Sequence, residues 1–519
     1  MHSEMARYAV SRTGMIGRRW GKSFLHKQEF HEPGVIHHNI SLHKMVKTMQ
    51  NIWNKFNAAL EAMTRERHLL ALRDGMIAVV PIILVGSTFL LLGSQNDVIT
   101  KYLPGLAGTP FGLWYKDNFA AILLPYRFTM GMLSIYVAFT IAASLAGQYK
   151  LPVLPQGLGA VVAFLITVKP LQVPVVEGGK PVWVLQMSQL GADGLFLAIL
   201  SGLLTVEISR FIVYLWEKFF HKKPKASEAE NGSIDIPPAV VQAFASFLPL
   251  LVVATIIWLI CYSLHVDVYN GLILLMQPME RLGDTMGCVI IVNFFLQLLG
   301  VAGIHGISVI NGVFFALWQK FLIDNSNAHL LGYALKYITA YPFYQWFVWI
   351  GGAGATFPLP FLLLLSKNAH MKRIGKMSFI PSLFNVNEPI LFGLPVVANP
   401  LLAFPFILSP IVCGIIAFTA FSYNWVTRPF IEVPWVLPAF LGAPLCTQDG
   451  RALILFAVNI TISIIIWVPF LKAYEKRLSS GKATVPSKEC AEPAPAEPAK
   501  TESEKTGSEK KEKTEEDAG

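Results

Sequence analysis

The sequence predicts an all-α polytopic membrane protein of about ten transmembrane helices, with re-entrant or broken segments and a disordered C-terminal tail. Three observations carry this. Of 519 residues, 54% are hydrophobic and only 14% charged, against about 25% charged in a soluble chain. Apolar runs long enough to cross a bilayer, roughly 20 residues each, recur along the chain. The stretch Phe384–Pro410, FNVNEPILFGLPVVANPLLAFPFILSP, is as apolar as a spanning helix yet holds Glu388 and five prolines. A carboxylate inside a membrane costs about 2.5–3.5 kcal/mol on insertion scales. Proline removes backbone donors and biases the preceding residue toward extended backbone. Together they predict a broken segment lining a polar cavity, not an anchor.

The elements follow in order. Residues 1–44 hold six histidines, irregularly spaced, and no long apolar run. They read as a disordered extension without a cleavable signal, and Met45 reads as a candidate start. Val46–Leu72 repeats Met49, Ile52, Trp53, Phe56 and Leu60 at helical spacing, with Lys55, Arg65 and Arg67 beside them. This predicts an amphipathic helix on the cytoplasmic side. Spans follow at 75–93, 119–146, 151–168, 191–216 and 239–264, with the hydrophilic loop His221–Ser233 cytoplasmic. Spans at 286–301 and 307–323 flank Gly303-Ile304-His305-Gly306. A span at 341–365 leads into the basic loop Ser366–Lys376, then the irregular 384–410 region merges into a span at 403–422, and 451–471 closes the set. Both termini are then cytoplasmic.

The net charge of +9 is no nucleic-acid signal: the tail Ser480–Gly519 carries −3, so the rest carries +12, mostly in loops beside apolar runs. The tail lacks the apolar residues to build a core and reads as disordered, with Cys490 an exposed thiol. The other cysteines, Cys261, Cys288, Cys413 and Cys446, show no CxxC or metal spacing and read as small core residues. No metal or cofactor is called for, and no Walker A motif points to ATP.

Four places could carry chemistry. Glu388 is either a carboxylate satisfied at a helix break or an acceptor for a polar substrate or proton, with Asn385 and Asn387 adding amide groups. His305, between glycines in an apolar stretch, is a packing residue or a ligand group approached closely through Gly303 and Gly306, and Asn311 follows six residues on. Gly351–Thr356, which includes Gly354, suits close helix packing or close ligand approach. Trp435, between prolines, is an interface-belt residue or a flat platform for a sugar ring. Carboxylate, amides and an aromatic face fit an uncharged polar ligand better than an ion. An anion site would need a buried cation, for which Arg127 is the candidate.

With these residues in hand, the chain resembles the membrane (IIC) component of bacterial phosphoenolpyruvate-dependent sugar phosphotransferase systems, in the lactose/cellobiose/diacetylchitobiose branch. The match runs from Val46 to Leu478 and is most specific over Gly351–Pro400, where a GG-GAT segment, a basic loop and FNVNEPILFGLPVVANP occur in order. IPPAVVQAFASFLP (Ile236–Pro249), GIHG, VPW and TQDGRALIL (Thr447–Leu455) support it. Two features depart from the family: prolines in Phe357–Pro360, where an unbroken helix is usual, and VPWVLP in place of W-T-T-P.

The resemblance implies a homodimeric permease in the bacterial inner membrane. Residues 45–265 would form the dimer contact, 266–479 would hold the sugar, and 480–519 would be a disordered cytoplasmic tail. It implies that Glu388 and His305 bond the hydroxyl to be phosphorylated, with Asn387 and Gly354 beside them and Trp435 an aromatic of the site for a β-linked disaccharide; Asn385, three residues before Glu388, joins them as a substrate-binding candidate. It further implies partner IIA protein and a separate IIB protein that carries the phosphoryl group on cysteine. Two other classes compete: a proton-coupled sugar transporter using Glu388 and His305 as a relay, and a membrane enzyme on a lipid-linked glycan. The enzyme would need a second carboxylate, for which Asp284 and Glu432 are the nearest candidates.

Overall fold

A computed structural model describes residues 66–95, 104–168, 170–174, 181–220, 238–396 and 399–480. The extension 1–44, the expected amphipathic helix up to residue 65, the loop 221–233 and the tail beyond 480 lie outside these. Seven helices among the described residues are long and apolar enough to cross a membrane, or eight if one bent pair counts as a span; Phe119–Phe128 and Val153–Thr167 are shorter apolar helices.

The first half of the chain is built mainly from long helices, although the expected span 119–146 is broken between Phe119 and Met132. α1 (Arg67–Ala78) starts at Glu66, whose carboxylate accepts the Leu69 N–H. It runs into α2 (Val80–Gly93), with Pro81 in the first turn, where its missing N–H costs nothing. Short helices between 104 and 132 lead to α3 (Leu133–Tyr149), α4 (Val153–Thr167), a hairpin of β1 (Leu171–Pro174) and β2 (Pro181–Val184), and α5 (Leu195–Phe220). α3 is the centre, packed against α1, α4 and α5. Small residues let the backbones close up: a Cβ on Gly75 would sit 2.7 Å from Ile141, and one on Gly202 3.1 Å from the Ala138 carbonyl.

α6 (Pro238–Trp258) leads to the amphipathic α7 (Val268–Gly283), which meets α8 (Met286–Val301) at an 80° bend. α9 (Gly306–Leu330) then runs unbroken for 25 residues and packs against α1 across the molecule. Beyond it, regular structure gives way. The expected span 341–365 is not one helix. A short π turn (Tyr344–Val348) is followed by a loop in which Gly351, Gly352, Gly354 and Ala355 all take left-handed backbone, and then by α10 (Leu359–Leu364). Pro358 and Pro360 start α10 rather than interrupt a longer helix.

Two hairpins follow. The first is α11 (Ala369–Leu383), capped by Asn368, folding back through Phe384–Asn387 into α12 (Glu388–Gly393). α13 (Pro400–Ser422) continues through Pro405 and Pro410, so the break expected over 384–410 is confined to residues before Pro400. The second hairpin lies between α13 and α15 (Arg451–Ser479). Its extended leg pairs Phe430 and Ile431 N–H with the Cys446 carbonyl at the end of α14 (Ala439–Thr447), at 3.0 and 3.2 Å. Asp449 closes its base by accepting from the Thr427 N–H at 3.0 Å. The largest buried cluster contains residues of both halves, from Met76 and Leu133 to Trp318, Trp346 and Phe456.

Candidate functional site

The two hairpin tips meet, and an asparagine joins them. Asn385 takes left-handed backbone (φ 60°), which asparagine tolerates better than most residues. Its Oδ1 accepts the Gly351 N–H at 3.2 Å, and its Nδ2 donates to the Trp435 carbonyl at 2.9 Å and the Leu437 carbonyl at 3.3 Å. One side chain thus ties the first tip to the glycine loop and to the second tip.

Asn387 does the same work two residues on. It is buried, and its Nδ2 donates to the Ala353 carbonyl at 2.8 Å and to Thr356 Oγ1 at 3.0 Å. Gly352 leaves the room: a Cβ there would lie 2.5 Å from Asn387 Cγ. Gly354 serves packing. Phe406 of α13 fills the place where its side chain would be, and its carbonyl accepts the Trp467 indole N–H at 3.2 Å.

Glu388 follows directly as the first residue of α12, before Pro389, and its side chain is exposed. Trp435 is 53% exposed at the second tip. His305 caps α9: its Nδ1 accepts the Ser308 N–H at 3.3 Å and pairs with Ser308 Oγ at 2.8 Å. With Nδ1 accepting, the neutral ring carries its proton on Nε2. His305 and Glu388 stand on separate elements, at the starts of α9 and α12. Val301 of α8 packs against an apolar cluster that holds Ile390, Leu394, Phe406 and Trp467.

Of the residues singled out in the sequence, the structure links Asn385, Asn387, the Gly351–Thr356 loop and Trp435 by direct contact. Arg127 is exposed, which removes it as a buried anion ligand. Asp284 caps backbone: it accepts from the Ile338 N–H at 3.0 Å and the Thr339 N–H at 2.8 Å. Among the described residues no group of three His, Cys, Asp or Glu side chains could hold a metal ion. Sequence reasoning missed the second hairpin. The signal was present: Pro434 and Pro438 break an apolar stretch as the prolines after Glu388 do.

Apart from this site, a cavity of about 580 Å³ lies between α5, α7 and α9, lined by Tyr269, Tyr337, Glu280 and Lys320 among others. Lys320 is 8% exposed and bonds Asp324 at 2.8 Å, with Glu280 at 3.4 Å and Asp193 at 4.0 Å.

The family model "Phosphotransferase system, EIIC" matches residues 73–410. A Bacillus subtilis (strain 168) protein described as lichenan permease IIC component is 32% identical over 82% of this chain and 94% of its own. The cellobiose-specific EIIC component of Geobacillus stearothermophilus is 29% identical over 82% of this chain and 94% of its own. The solved structure of ChbC, the IIC component of the N,N'-diacetylchitobiose-specific phosphotransferase system, superposes with a TM-score of 0.72 at 29% identity, covering 82% of this chain and 98% of ChbC.

Proposed function

We propose a substrate and a mechanism for a chain that belongs to the phosphotransferase system EIIC family. It is a multi-pass membrane sugar permease of the cellobiose/lactose/chitobiose type, and EIIC components of this kind work with IIA and IIB proteins. The finer reading is that it carries a β-linked disaccharide and presents its 6-hydroxyl to a phosphocysteine on a separate IIB protein. The observation that supports this is the meeting of the two hairpin tips through Asn385, with exposed Trp435 on one tip and exposed Glu388 three residues beyond Asn385 on the other.

Each residue then has a role. The Glu388 carboxylate accepts the 6-hydroxyl and takes its proton as the oxygen attacks phosphorus and the S–P bond breaks. His305 Nε2–H holds the same oxygen. Asn387 fixes the backbone ahead of Glu388, so the carboxylate is positioned rather than merely present. The Trp435 ring receives the C–H face of a sugar, and Asn385 and Gly354 hold the tip and the loop beside it. Residues 45–265 form the scaffold and, by family resemblance, the homodimer contact. Residues 266–479 form the sugar-holding half, and both termini face the cytoplasm.

Glu388→Gln tests this reading in inside-out vesicles supplied with the soluble phosphotransferase proteins and phosphoenolpyruvate. Formation of cellobiose 6-phosphate should fall at least about 100-fold, the contribution of a positioned general base, with membrane insertion unchanged. Normal turnover would remove Glu388 from the mechanism. Uptake of free sugar that collapses with the proton gradient would favour the proton-coupled alternative.

A further inference from the structure

Glu432 is the carboxylate the function above leaves unused. It lies in the extended leg of the second hairpin, outside the spanning helices, three residues before Trp435, and is 6% exposed. Its surroundings differ from those of the other carboxylates that hold backbone in this fold. Asp449 receives the Thr427 N–H and hydroxyl, the Arg451 N–H and the Arg451 guanidinium, all between 2.7 and 3.1 Å. Asp284 receives the Ile338 and Thr339 N–H groups and the Thr339 hydroxyl. Glu432 meets one amide, Gln319 Nε2, at 3.4 Å.

Among the described residues no second side chain donates to Glu432. Gln345 spends its Nε2 on the Val433 carbonyl at 3.2 Å, and the Oε1 atoms of Gln319 and Gln345, both at least nine-tenths buried, have no donor. Titratable groups facing Glu432 are Tyr341, which follows α9, and Cys446 of α14, and neither brings positive charge. Lys320, next to Gln319, is turned to Asp324 and Glu280. A buried carboxylate with one weak donor is costly, whereas a carboxylic acid both accepts and donates. Its proton adds a donor beside the Gln319 amide, whose Oε1 has none.

We propose that Glu432 is a positioning residue that stays protonated at neutral pH and, bonded to the Gln319 amide, fixes the hairpin tip that presents Trp435. The proposal rests on the reading of Trp435 as a sugar contact. Burial pushes the Glu432 carboxyl up to about 8, with the Gln319 bond opposing. Because the folded value is raised, the protonated form favours the native tip, and that support is lost as pH rises through about 8. The tip is coupled to this event through a short path: Pro434 follows Val433, and the Trp435 and Leu437 carbonyls are held by Asn385.

The test uses the full chain in lipid nanodiscs. Infrared difference spectra between neutral and alkaline pH should show the carbonyl stretch of a buried carboxylic acid, disappearing with a midpoint near 8 and absent in Glu432→Gln. No such band, or the same band in both proteins, overturns the protonation. Phosphoenolpyruvate-dependent phosphorylation of cellobiose should show a KM that rises about tenfold between about pH 7 and pH 9 with kcat moving less, a dependence lost in Glu432→Gln. Glu432→Leu, which cannot bond Gln319, should raise KM about tenfold at pH 7, the scale of one lost buried hydrogen bond. A pH-independent wild-type KM beside a present band would overturn the positioning role. Trp435→Ala separates the two readings: an unchanged KM there refutes Trp435 as a sugar contact, while the infrared band still decides Glu432.

Discussion

The two halves of the chain satisfy buried polar groups in different ways. In residues 66–265 the buried polar side chains are mostly hydroxyls; two of them bond back to their own helix, while Ser134 reaches across to the Gly191 carbonyl. Ser94 reaches the Leu90 carbonyl at 2.8 Å and Thr167 the Phe164 carbonyl at 2.5 Å. In residues 266–479 they include amides that reach across elements. Asn293 accepts the Trp349 indole N–H at 2.8 Å, and Asn459 donates to the Phe347 carbonyl at 2.8 Å. Asn325 makes four bonds, to Lys336 N, Tyr337 N and the Tyr337 and Pro429 carbonyls, between 2.7 and 3.1 Å. The difference follows from backbone regularity. A continuous helix pairs its own N–H and C=O groups, so a hydroxyl is a guest. A hairpin tip or glycine loop has unpaired backbone groups that only another element's side chain can reach. The half that gives up helical regularity is the half to which the proposed function assigns the sugar.

The largest effect that would break this comparison is at Asn325. Asn325→Ala should cost about 3–5 kcal/mol, because it orphans several buried backbone groups at once. Thermal unfolding of the detergent-purified protein reads this, and a loss under about 1 kcal/mol would show that the amide bridges are not what holds the second half.

Asn385→Ala should come next, at about 2 kcal/mol, with sugar affinity falling more than stability alone explains. Here the tips lose their tie but the hairpins keep their bases at Asp449 and Asn368. Equal melting temperature together with normal cellobiose KM would refute the meeting of the tips as the organising contact. The smallest effect belongs to the first half. Thr167→Val removes a hydroxyl that only supplements a helical carbonyl, and should change stability by less than about 1 kcal/mol in the same melting assay. A larger loss would erase the contrast between the halves.

The site was partly legible in the sequence. Glu388 in an apolar, proline-broken stretch announced itself by cost, and Asn385 and Asn387 by proximity to it. Their partners were not legible, because each contact joins residues far apart in the chain: Asn385 with Trp435, Asn387 with Thr356. Gly354 drew attention for its density of neighbouring glycines, but whether a glycine admits a ligand or a phenyl ring depends on what packs there, and Phe406 packs there. Glu432 lay in an unremarkable local setting, and only its burial beside Gln319 gives it chemistry.

Proline shows the division most clearly. Those in Phe384–Pro410 all read as breaks, yet Pro405 and Pro410 sit inside α13 while the true break precedes Pro400. By itself the sequence determined the solvent: a charge deficit and long apolar runs cannot be hidden in water, so the chain is a membrane protein with an expensive carboxylate at a break. Only the tertiary structure decided where helices fail and which polar groups meet, because a freed backbone group is tolerated wherever a neighbouring element happens to satisfy it.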